Sequence, residues 1–350
     1  MTAPLKPKLP KESTFQNLVA AEQARNASLE NLLTAIETKS TDIPAWVTAA
    51  LGLPTVQKTA LKSALYEVLG LNNSVQKSVE ALPDIYAILD DNADAGNGAG
   101  LHNSIYRGKN LGSEPTADHY ARINDATFKG LWMGDYYAKS VTYNYPDQSK
   151  ENNALTSITQ TLTERYLHHN YRKNCGDTAP SKNHSLMAAD QSLFSAPMNK
   201  GANKTEGGYV GSDMYTIYLD GALNAFNAFF GSTHILEHRE LLVNAVANGK
   251  PSGHAWYSRK VDLMNECMVY GSYIFTPGND GVTIPYRYTI DKSQLAAFHL
   301  NPSLISTRYW WWLRDVVSDT DFSAVGTNGH CGHVAASNTR GSVRPYALIY

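Results

Sequence analysis

The chain has 350 residues, which is long enough for two or three domains. Hydrophobic residues make up 43% of it and charged residues 18%, so the composition is that of a globular protein able to bury a sizeable core. The net charge of -2 is spread along the chain. It excludes the broad basic field of nucleic-acid-binding proteins, and no nucleic-acid partner is expected.

Hydropathy and cysteine usage narrow the class further. The sequence has no apolar run of about 18 residues, so no membrane span is predicted. Its first residues, MTAPLKPKLPK, lack the apolar core of a signal peptide, and synthesis in a cytoplasm is expected. Three widely spaced cysteines predict neither a disulfide framework nor a zinc ribbon. The 21 tyrosines, against 9 phenylalanines, fit either a binding surface or a β-rich domain with half-buried tyrosines.

The N-terminal region, residues 1–42, is predicted to be an arm followed by an oligomerisation helix. Alternating Pro and Lys over residues 1–12 favour an extended arm, either a tether that orders on a partner or a loose terminus. From Ser13 a helix is predicted, and its seam residues recur at four-three spacing. They are Phe15, Val19, Glu22, Asn26, Leu29, Leu33 and Ile36. This pattern fits a short coiled coil or an amphipathic helix packed on its own domain.

Residues 43–100 are predicted to form a helical attachment region that ends in a linker. Pro44 and Pro54 punctuate its helical pattern, and the stretch DDNADAGNGAG (90–100) has the composition of a flexible connector. A domain boundary is therefore expected there, and residues 101–350 are predicted to form one domain.

Helical and strand patterns alternate in the 101–350 domain. The first predicted elements are a helix over 116–127 capped by Thr116, a strand over 131–145 and a helical or mixed stretch over 152–166. One or two buried helices over 213–230, ended by Gly231, and a helix over 237–248, capped by Asn248-Gly249, are predicted next. An apolar segment over 261–270 follows, and then short strands and loops at 284–290, at 296–300 and in the tail. Helices early and short strands late indicate an α+β class.

Common catalytic motifs are missing from the sequence. It has no Walker A, G-x-G-x-x-G, H-E-x-x-H or G-x-S-x-G pattern. His168 and His169 with Cys175 fit no common metal spacing and are predicted to be exposed, and residues 237–240 are predicted to be a solvated helix face. In His330-Cys331-Gly332-His333 the ligands are too close together to complete a tetrahedral site, so no metal and no cofactor are expected.

The tail is the most informative stretch. Trp310, Trp311 and Trp312 open it, and at least two of them are expected in the core, because one face of a strand is normally buried. Val343-Arg344-Pro345 precedes the apolar end. Between these bulky segments lies a polar insert rich in Gly, Ser, Asn and His.

Several segments resemble a family of bacteriophage and prophage virion proteins. They are HNSIYRGKNLG (102–112), GGYVGSDMYT (207–216), HILEHRELL (234–242), VDLMNECMVYGSYIF (261–275) and WWLRDVVS with GSVRP (311–345). The C-terminal part of that family resembles the C-type-lectin fold of the variable proteins of diversity-generating retroelements. The sequence departs from the pattern at Ser342, an insertion, and over residues 131–144, where family members often carry a tryptophan-containing strand.

The resemblance implies a receptor-binding protein on a phage particle. Its scaffold is expected to be Trp311, Trp312, Leu313, Arg314, Val343, Arg344 and Pro345. Its ligand-binding residues are expected to be Asp319, Asp321, Thr327, Asn328, His330, Cys331, His333, Asn338, Thr339 and Arg340. The predicted partners are other virion proteins through residues 1–100 and a host surface receptor or glycan through 319–340, in a homotrimer.

Two alternatives stand beside this interpretation. The chain could be a capsid decoration or head-fibre protein whose arm docks on the shell. An enzyme is not expected, because the oxidases that share the C-type-lectin fold need a reactive cysteine pair and Cys267 and Cys331 lie in no such motif. Residues 313–350 also contain no Lys, Glu, Gln, Met or Trp. This absence fits adenine-directed diversification of Asn codons, either in this chain or in an ancestor, and also the ordinary composition of Gly- and Ser-rich loops.

Overall fold

The structure is a computed structural model that describes Asp90, residues 98–276 and residues 293–350. The predicted arm, the heptad helix and the helical attachment region up to residue 89 lie outside these described residues. The same holds for linker residues 91–97 and the predicted strand at 284–290.

Helices and strands both contribute to the described domain. The helices are α1 (Ala99–His102), α2 (Ala117–Asn124), α3 (Leu219–Phe230), α4 (Glu266–Tyr270) and α5 (Ala296–Leu300). The strands are β1 (Tyr136–Pro146), β2 (Leu155–His169), β3 (Ser185–Ala189), β4 (Ile235–Leu236), β5 (His238–Ala247), β6 (Lys250–Arg259), β7 (Val261–Leu263), β8 (Trp311–Val316), β9 (Asp321–Val325), β10 (Cys331–Ala335) and β11 (Pro345–Ile349). The predicted mixture of helices and strands is confirmed, with more strand than helix.

The strands form three antiparallel sheets. The largest has the order β1-β2-β3-β11-β4, and β7 also pairs with β11. A second sheet has the order β10-β9-β8, and β5 pairs with β6 in a two-stranded ribbon. The prediction that strands come late is wrong for residues 98–276 and 293–350, because β1 and β2 are among the first elements of that part and β2 is the longest strand described there. The wholly buried β11 is central to the largest sheet, so the end of the chain is anchored in the core.

Two helix predictions are confirmed. Thr116 caps α2 by accepting a hydrogen bond from the backbone N–H of His119, in a capping box. The stretch 213–230 is a π-helical turn, Met214–Tyr218, continued by α3, which ends at Gly231. The buried face of α3 packs on β1, so this helix covers one side of the largest sheet.

The strand predicted over 131–145 begins five residues late, at Tyr136. The preceding residues instead form a turn around the buried carboxylate of Asp135. That carboxylate accepts hydrogen bonds from the backbone N–H groups of Trp132 and Lys109 and from the guanidinium of Arg107. The helical or mixed prediction for 152–166 is wrong, because this stretch lies mostly in β2. Its recurrent threonines are typical of a strand.

The helix predicted over 237–248 is also wrong. These residues form β5, and Asn248-Gly249 is not a helix cap but the hairpin turn to β6, with φ of +54° and +71°. Two consecutive left-handed residues make the tight turn whose twist matches paired strands, and Asn-Gly suits it best. Residues 296–300 were predicted to be a short strand or loop, but they form the helix α5.

The two histidines predicted to be exposed are not. His169 is 1% exposed, and its imidazole donates to the carbonyl of Leu131 and accepts from the hydroxyl of Ser185. His168 is half-buried, and its Nδ1 accepts from the backbone N–H of Ala296. Both rings therefore serve the packing of β2 and are not available as surface ligands.

Candidate ligand-binding surface

The predicted insert forms most of the three-stranded sheet. From the end of β8 the chain turns into β9, passes through the hairpin turn 326–330 into β10, and returns to β11 through residues 336–344. β8 is buried over its whole length, whereas β10 is half-buried or exposed. The sheet therefore has an inner edge within the protein and an outer edge towards solvent.

The two predicted scaffold segments lie side by side. The backbone N–H of Trp312 donates to the carbonyl of Ser342 over 3.1 Å, and the N–H of Ser342 donates to the carbonyl of Trp310 over 3.2 Å. Trp311 and Trp312 are fully buried and Trp310 is half-buried, as expected for at least two of the three. The chain therefore leaves and re-enters the core at adjacent points, which fixes both ends of the insert.

The paired scaffold segments around Trp312 and Ser342, called the clamp below, pack so closely that position 341 must be glycine. A Cβ at position 341 would overlap the indole of Trp312, whose Nε1 donates to the carbonyl of Ala196 over 2.8 Å. Replacing Gly341 by Ala is therefore expected to lower the free energy of unfolding by about 1–3 kcal/mol through overpacking. Urea denaturation measures this loss.

The matched control is Gly100→Ala, because a Cβ at that exposed helical position meets nothing within 4 Å. Its stability should stay the same or rise. Equal stability of the Gly341 and Gly100 variants would contradict the tight clamp.

Arg314, the last predicted residue of the first scaffold segment, belongs to a buried ionic cluster. Its guanidinium contacts Asp262 over 3.1 Å and Glu240 over 3.2 Å. Glu240 also pairs with Arg172 over 2.5 Å and accepts from the hydroxyl of Tyr346 over 2.6 Å. Sequence reasoning missed this cluster, because residues 237–240 were predicted to be a solvated helix face. It fixes β8 to β5, β7 and β11.

The charges in this cluster perturb the pKa values of both carboxylates. Burial alone would raise the pKa of Glu240, but the positive charges of Arg172 and Arg314 outweigh it and hold that pKa well below its ordinary value. Burial raises the pKa of Asp262, with Arg314 opposing. Arg314 is thus shared by two carboxylates, whereas Glu240 also has Arg172 beside it.

Arg344, in the second scaffold segment, is fully buried. Its Nε donates to the carbonyl of Ala189 over 2.8 Å, and its guanidinium lies 4.9 Å from the centre of the Trp311 ring. The buried Glu164 lies in the same region, and burial raises its pKa to about 8, with Asp190 adding to the effect. Arg344 therefore joins the two scaffold segments through a stacking contact.

The ten predicted ligand-binding residues fall into four places on the sheet. Thr327, Asn328 and His330 form the hairpin tip, and Asp321, Cys331 and His333 share one face. Asp319 lies in the β8–β9 turn, and Asn338, Thr339 and Arg340 lie in the turn before β11. Because β10 rises about 3.4 Å per residue, its two ends are about 14 Å apart. The structure thus spreads these residues over a broad surface.

The hairpin tip is held by a neighbouring loop. The carbonyl of Thr327 accepts from the backbone N–H of Arg308 and from the hydroxyl of Ser306, each over 3.2 Å. The hydroxyl of Tyr270 donates to the carbonyl of Gly329 over 3.1 Å. Sequence reasoning missed these three residues, because each belongs to another segment. They leave the side chains of the tip exposed on a backbone that is tied down.

His333 is the exposed centre of the shared face. Its Nδ1 lies 2.7 Å from a carboxylate oxygen of Asp321, and the ring of Phe275 meets it edge-on at 5.2 Å between centroids. Phe275 is 41% exposed and its neighbour Ile274 49%. Both apolar residues were missed, although exposed large apolar side chains are a common mark of a binding surface.

Cys331 is directed inwards and acts as a supporting residue. Its sulphur lies 3.7 Å from the carboxylate of Glu266 and 3.7 Å from the hydroxyl of Ser323. Burial raises the pKa of the Cys331 thiol to about 12, and the negative charge of Glu266 adds to the effect. At neutral pH the group is therefore a protonated thiol, which is a poor nucleophile. No disulfide joins it to Cys175 or Cys267, both of which are described.

The β8–β9 turn and the turn before β11, which hold the remaining predicted ligand-binding residues, contact other segments of the domain. In the turn before β11, the carbonyl of Thr339 accepts from the side-chain amide of Gln148 over 2.8 Å. The carbonyl of Asp319 accepts from the backbone N–H of Thr205 over 2.9 Å, and its exposed carboxylate faces Gly249 at the tip of the β5–β6 ribbon. These contacts stabilise the loop backbones and leave the side chains of Thr339, Arg340 and Asp319 exposed.

Within the described ranges no three His, Cys, Asp or Glu side chains come together as a metal site, and no helix there is long and apolar enough to cross a membrane. Comparison of the chain with protein-family models, curated proteins and solved structures gave no match in any of the three. The geometry of the surface itself is therefore the basis for assigning a function.

Proposed function

We propose that the chain is a ligand-binding protein of a phage virion surface. Residues 101–350 would form a C-type-lectin-like domain that binds a host receptor or glycan through residues 319–340. The observation that carries the proposal is the clamped insert. Two buried scaffold segments hold its ends together, while its tip and one face present exposed polar side chains.

The physical character of this surface suits recognition. Loops on a rigid scaffold can vary without loss of the core, which is why binding residues concentrate there. Asn, Thr and His provide adaptable hydrogen bonds, and an aromatic such as Phe275 provides rigid contact area. Burial raises the pKa of the Cys331 thiol, so at neutral pH this residue contributes a protonated, partly buried side chain to the surface.

The remaining parts of the proposal concern assembly. Residues 1–100 would attach the protein to other virion proteins and bring three copies together. Contacts through an exposed polar surface are individually weak, and linked copies would raise the overall avidity by orders of magnitude, about 100-fold or more. A trimer with one surface per copy therefore fits a receptor-binding role.

The proposal is tested by the binding of the fluorescently labelled full-length protein to a panel of bacterial cells. A triple variant, Asn328→Ala, His330→Ala and His333→Ala, is expected to lose at least about tenfold in affinity, since each polar contact contributes about 0.5–1.5 kcal/mol. The melting temperature should change little, because all three side chains are exposed.

The matched control replaces Ser140, Thr142 and Thr159 by Ala. These exposed polar residues lie on the β1–β2 hairpin, away from the insert. The control should bind like the unmodified protein. Equal binding by both triple variants would reject residues 319–340 as the ligand-binding surface.

A further inference from the structure

The outer edge of β10 carries a row of backbone groups that point away from its own sheet. The N–H of Gly326 donates to the carbonyl of His330, and the N–H of Ala336 donates to the carbonyl of Thr320. In an antiparallel pair of strands, residue pairs that are hydrogen-bonded alternate with pairs that are not. The backbone groups of the even-numbered residues of β10 therefore bond to β9. The N–H and C=O groups of Cys331, His333 and Ala335 therefore point outwards. The carbonyl of Ala335 accepts from the backbone N–H of Asn338 over 2.9 Å, where the chain turns back after β10. For the other five groups, no backbone hydrogen bond to a described residue is found.

The sequence of β10 does nothing to block this edge. Proteins usually protect an exposed edge with Lys, Pro, a bulge or a covering segment. The edge of β1 follows that rule, because the N–H of Leu111 bonds to Tyr136, the carbonyl of Gly112 bonds to Ala138, and Pro146 ends the strand. β10 reads Cys-Gly-His-Val-Ala, without a charged residue or proline, and pairs with β9 without a bulge.

An apolar pair lies beside this edge and is held in place. The buried carboxylate of Glu266 accepts from the hydroxyl of Ser323 over 2.6 Å, from the backbone N–H of Ile274 over 2.6 Å and from that of Phe275 over 3.3 Å. It thereby fixes the backbone of Ile274 and Phe275 next to β9 and β10. Their exposed side chains lie on the face where His333 projects.

We propose that the outer edge of β10 binds an extended, uncharged polypeptide strand of the partner by adding it to the three-stranded sheet. This inference deepens the proposed function, on which it rests, because it names the chemical class of the ligand. The outward N–H groups of residues 331, 333 and 335 and the outward C=O groups of residues 331 and 333 form the ladder of hydrogen bonds. Alternate side chains of the added strand contact Phe275 and Ile274, so an alternating pattern with apolar residues is selected.

A glycan fits the outer edge of β10 and the neighbouring apolar pair less well than a polypeptide strand does. Polypeptide N–H and C=O groups recur at the spacing of the exposed ladder, whereas sugar hydroxyls do not, and the two exposed apolar side chains match aliphatic residues. An uncharged strand is favoured because β10 contains no Asp, Glu, Lys or Arg that could pair with a charged side chain.

The first test uses the full-length protein and two synthetic peptides. One is acetyl-Thr-Val-Thr-Val-Thr-Val-amide, and the other carries an N-methyl group on every residue, which removes the backbone donors from both edges of the strand. Hydrogen exchange of the amides of residues 331, 333 and 335 is followed by mass spectrometry. At a peptide concentration about ten times its Kd, the first peptide should slow exchange about tenfold, because exchange then proceeds from the unbound fraction.

The methylated peptide should leave that exchange unchanged. Unchanged exchange with the first peptide, equal slowing by both peptides, or slowing confined to another strand edge would overturn the inference.

The second test uses a pair of variants at one position. His333→Pro removes one outward N–H but none of the bonds to β9, since proline is tolerated where a strand's N–H faces solvent. His333→Ala removes the same side chain and keeps the N–H. We expect the Pro variant to lose binding of the first peptide at least about tenfold relative to the Ala variant, which corresponds to one lost hydrogen bond of about 1.4 kcal/mol. Equal affinities would overturn the inference.

Cell binding separates failure of this inference from failure of the proposed function. If cells treated with protease lose binding and periodate-treated cells keep it, the ligand is a polypeptide, as inferred. The reverse result overturns the inference but leaves residues 319–340 as a glycan-binding surface, provided that the Asn328, His330 and His333 triple variant still binds weakly. If that triple variant binds normally, the proposed function itself fails.

Discussion

Replacing Glu240 by Gln is expected to lower the free energy of unfolding by about 3–5 kcal/mol, the cost of breaking a buried ion pair from one side. Glu240 is fully buried, 2.5 Å from Arg172 and 3.2 Å from Arg314. Glutamine keeps the size of the side chain but removes the negative charge that both guanidinium groups face. Urea denaturation at neutral pH measures the effect.

Glu237 is the matched control for this substitution. It lies three residues earlier in the chain and is exposed, so Glu237→Gln should change the free energy of unfolding by less than about 0.5 kcal/mol. A similar small effect at Glu240 would mean that the cluster contributes little and does not fix β8 to the core.

Lowering the pH below 6.5 is expected to destabilise the fold through buried neutral histidines. His184 is fully buried, its Nε2 accepts from the backbone N–H of Arg172, and its Nδ1 contacts the carbonyl of Lys182. Burial lowers the pKa of His184 to about 3 and the pKa of His169 well below its usual value. A proton added to either acceptor nitrogen would face another donor, so the folded form stays neutral.

The direction in which stability changes with pH depends on whether the folded or the unfolded state binds more protons. In the unfolded chain both imidazoles titrate near pH 6.5, above their folded pKa values, so below that pH the unfolded state binds more protons. Stability from these residues is therefore complete above about pH 6.5. It falls by about 1.4 kcal/mol per pH unit for each histidine as the pH drops. Urea midpoints between about pH 7 and pH 5 report the slope.

His184→Gln provides the control for the pH effect. Glutamine cannot titrate, so the slope of stability against pH should decrease by about 1.4 kcal/mol per unit, the share of one histidine. The variant can be less stable at neutral pH without affecting this comparison, because only the slope matters. A slope that does not change would assign the pH dependence to other groups.

Local sequence signals predicted those elements whose stabilising contacts are local. Thr116 caps its helix with a residue three positions away, and the apolar run before Gly231 forms its own buried face. The burial of two tryptophans followed from strand alternation. The scaffold segments on either side of the insert were predicted by resemblance, and the structure places them side by side.

The sequence predictions were wrong where contacts with residues far away in the sequence determine the structure. The stretch 237–248 contains good helix formers, but pairing with β6 overrides that local preference, and the Asn-Gly turn was the one local signal of a hairpin. Glu240 was predicted to be solvated because Arg172 and Arg314 are far away in sequence. Phe275 was missed for the same reason, since its contact with His333 joins two separate segments.

We propose the clamped insert as the surface that contacts the ligand. The most direct test of this claim is a hydrogen-exchange footprint of the full-length protein, with and without envelope fragments from bacterial cells that bind it. We predict slowed exchange in residues 327–335, including the outward amides of β10, and unchanged exchange in the exposed β1–β2 hairpin. Slowed exchange confined to other regions, with 327–335 unaffected, would contradict the claim.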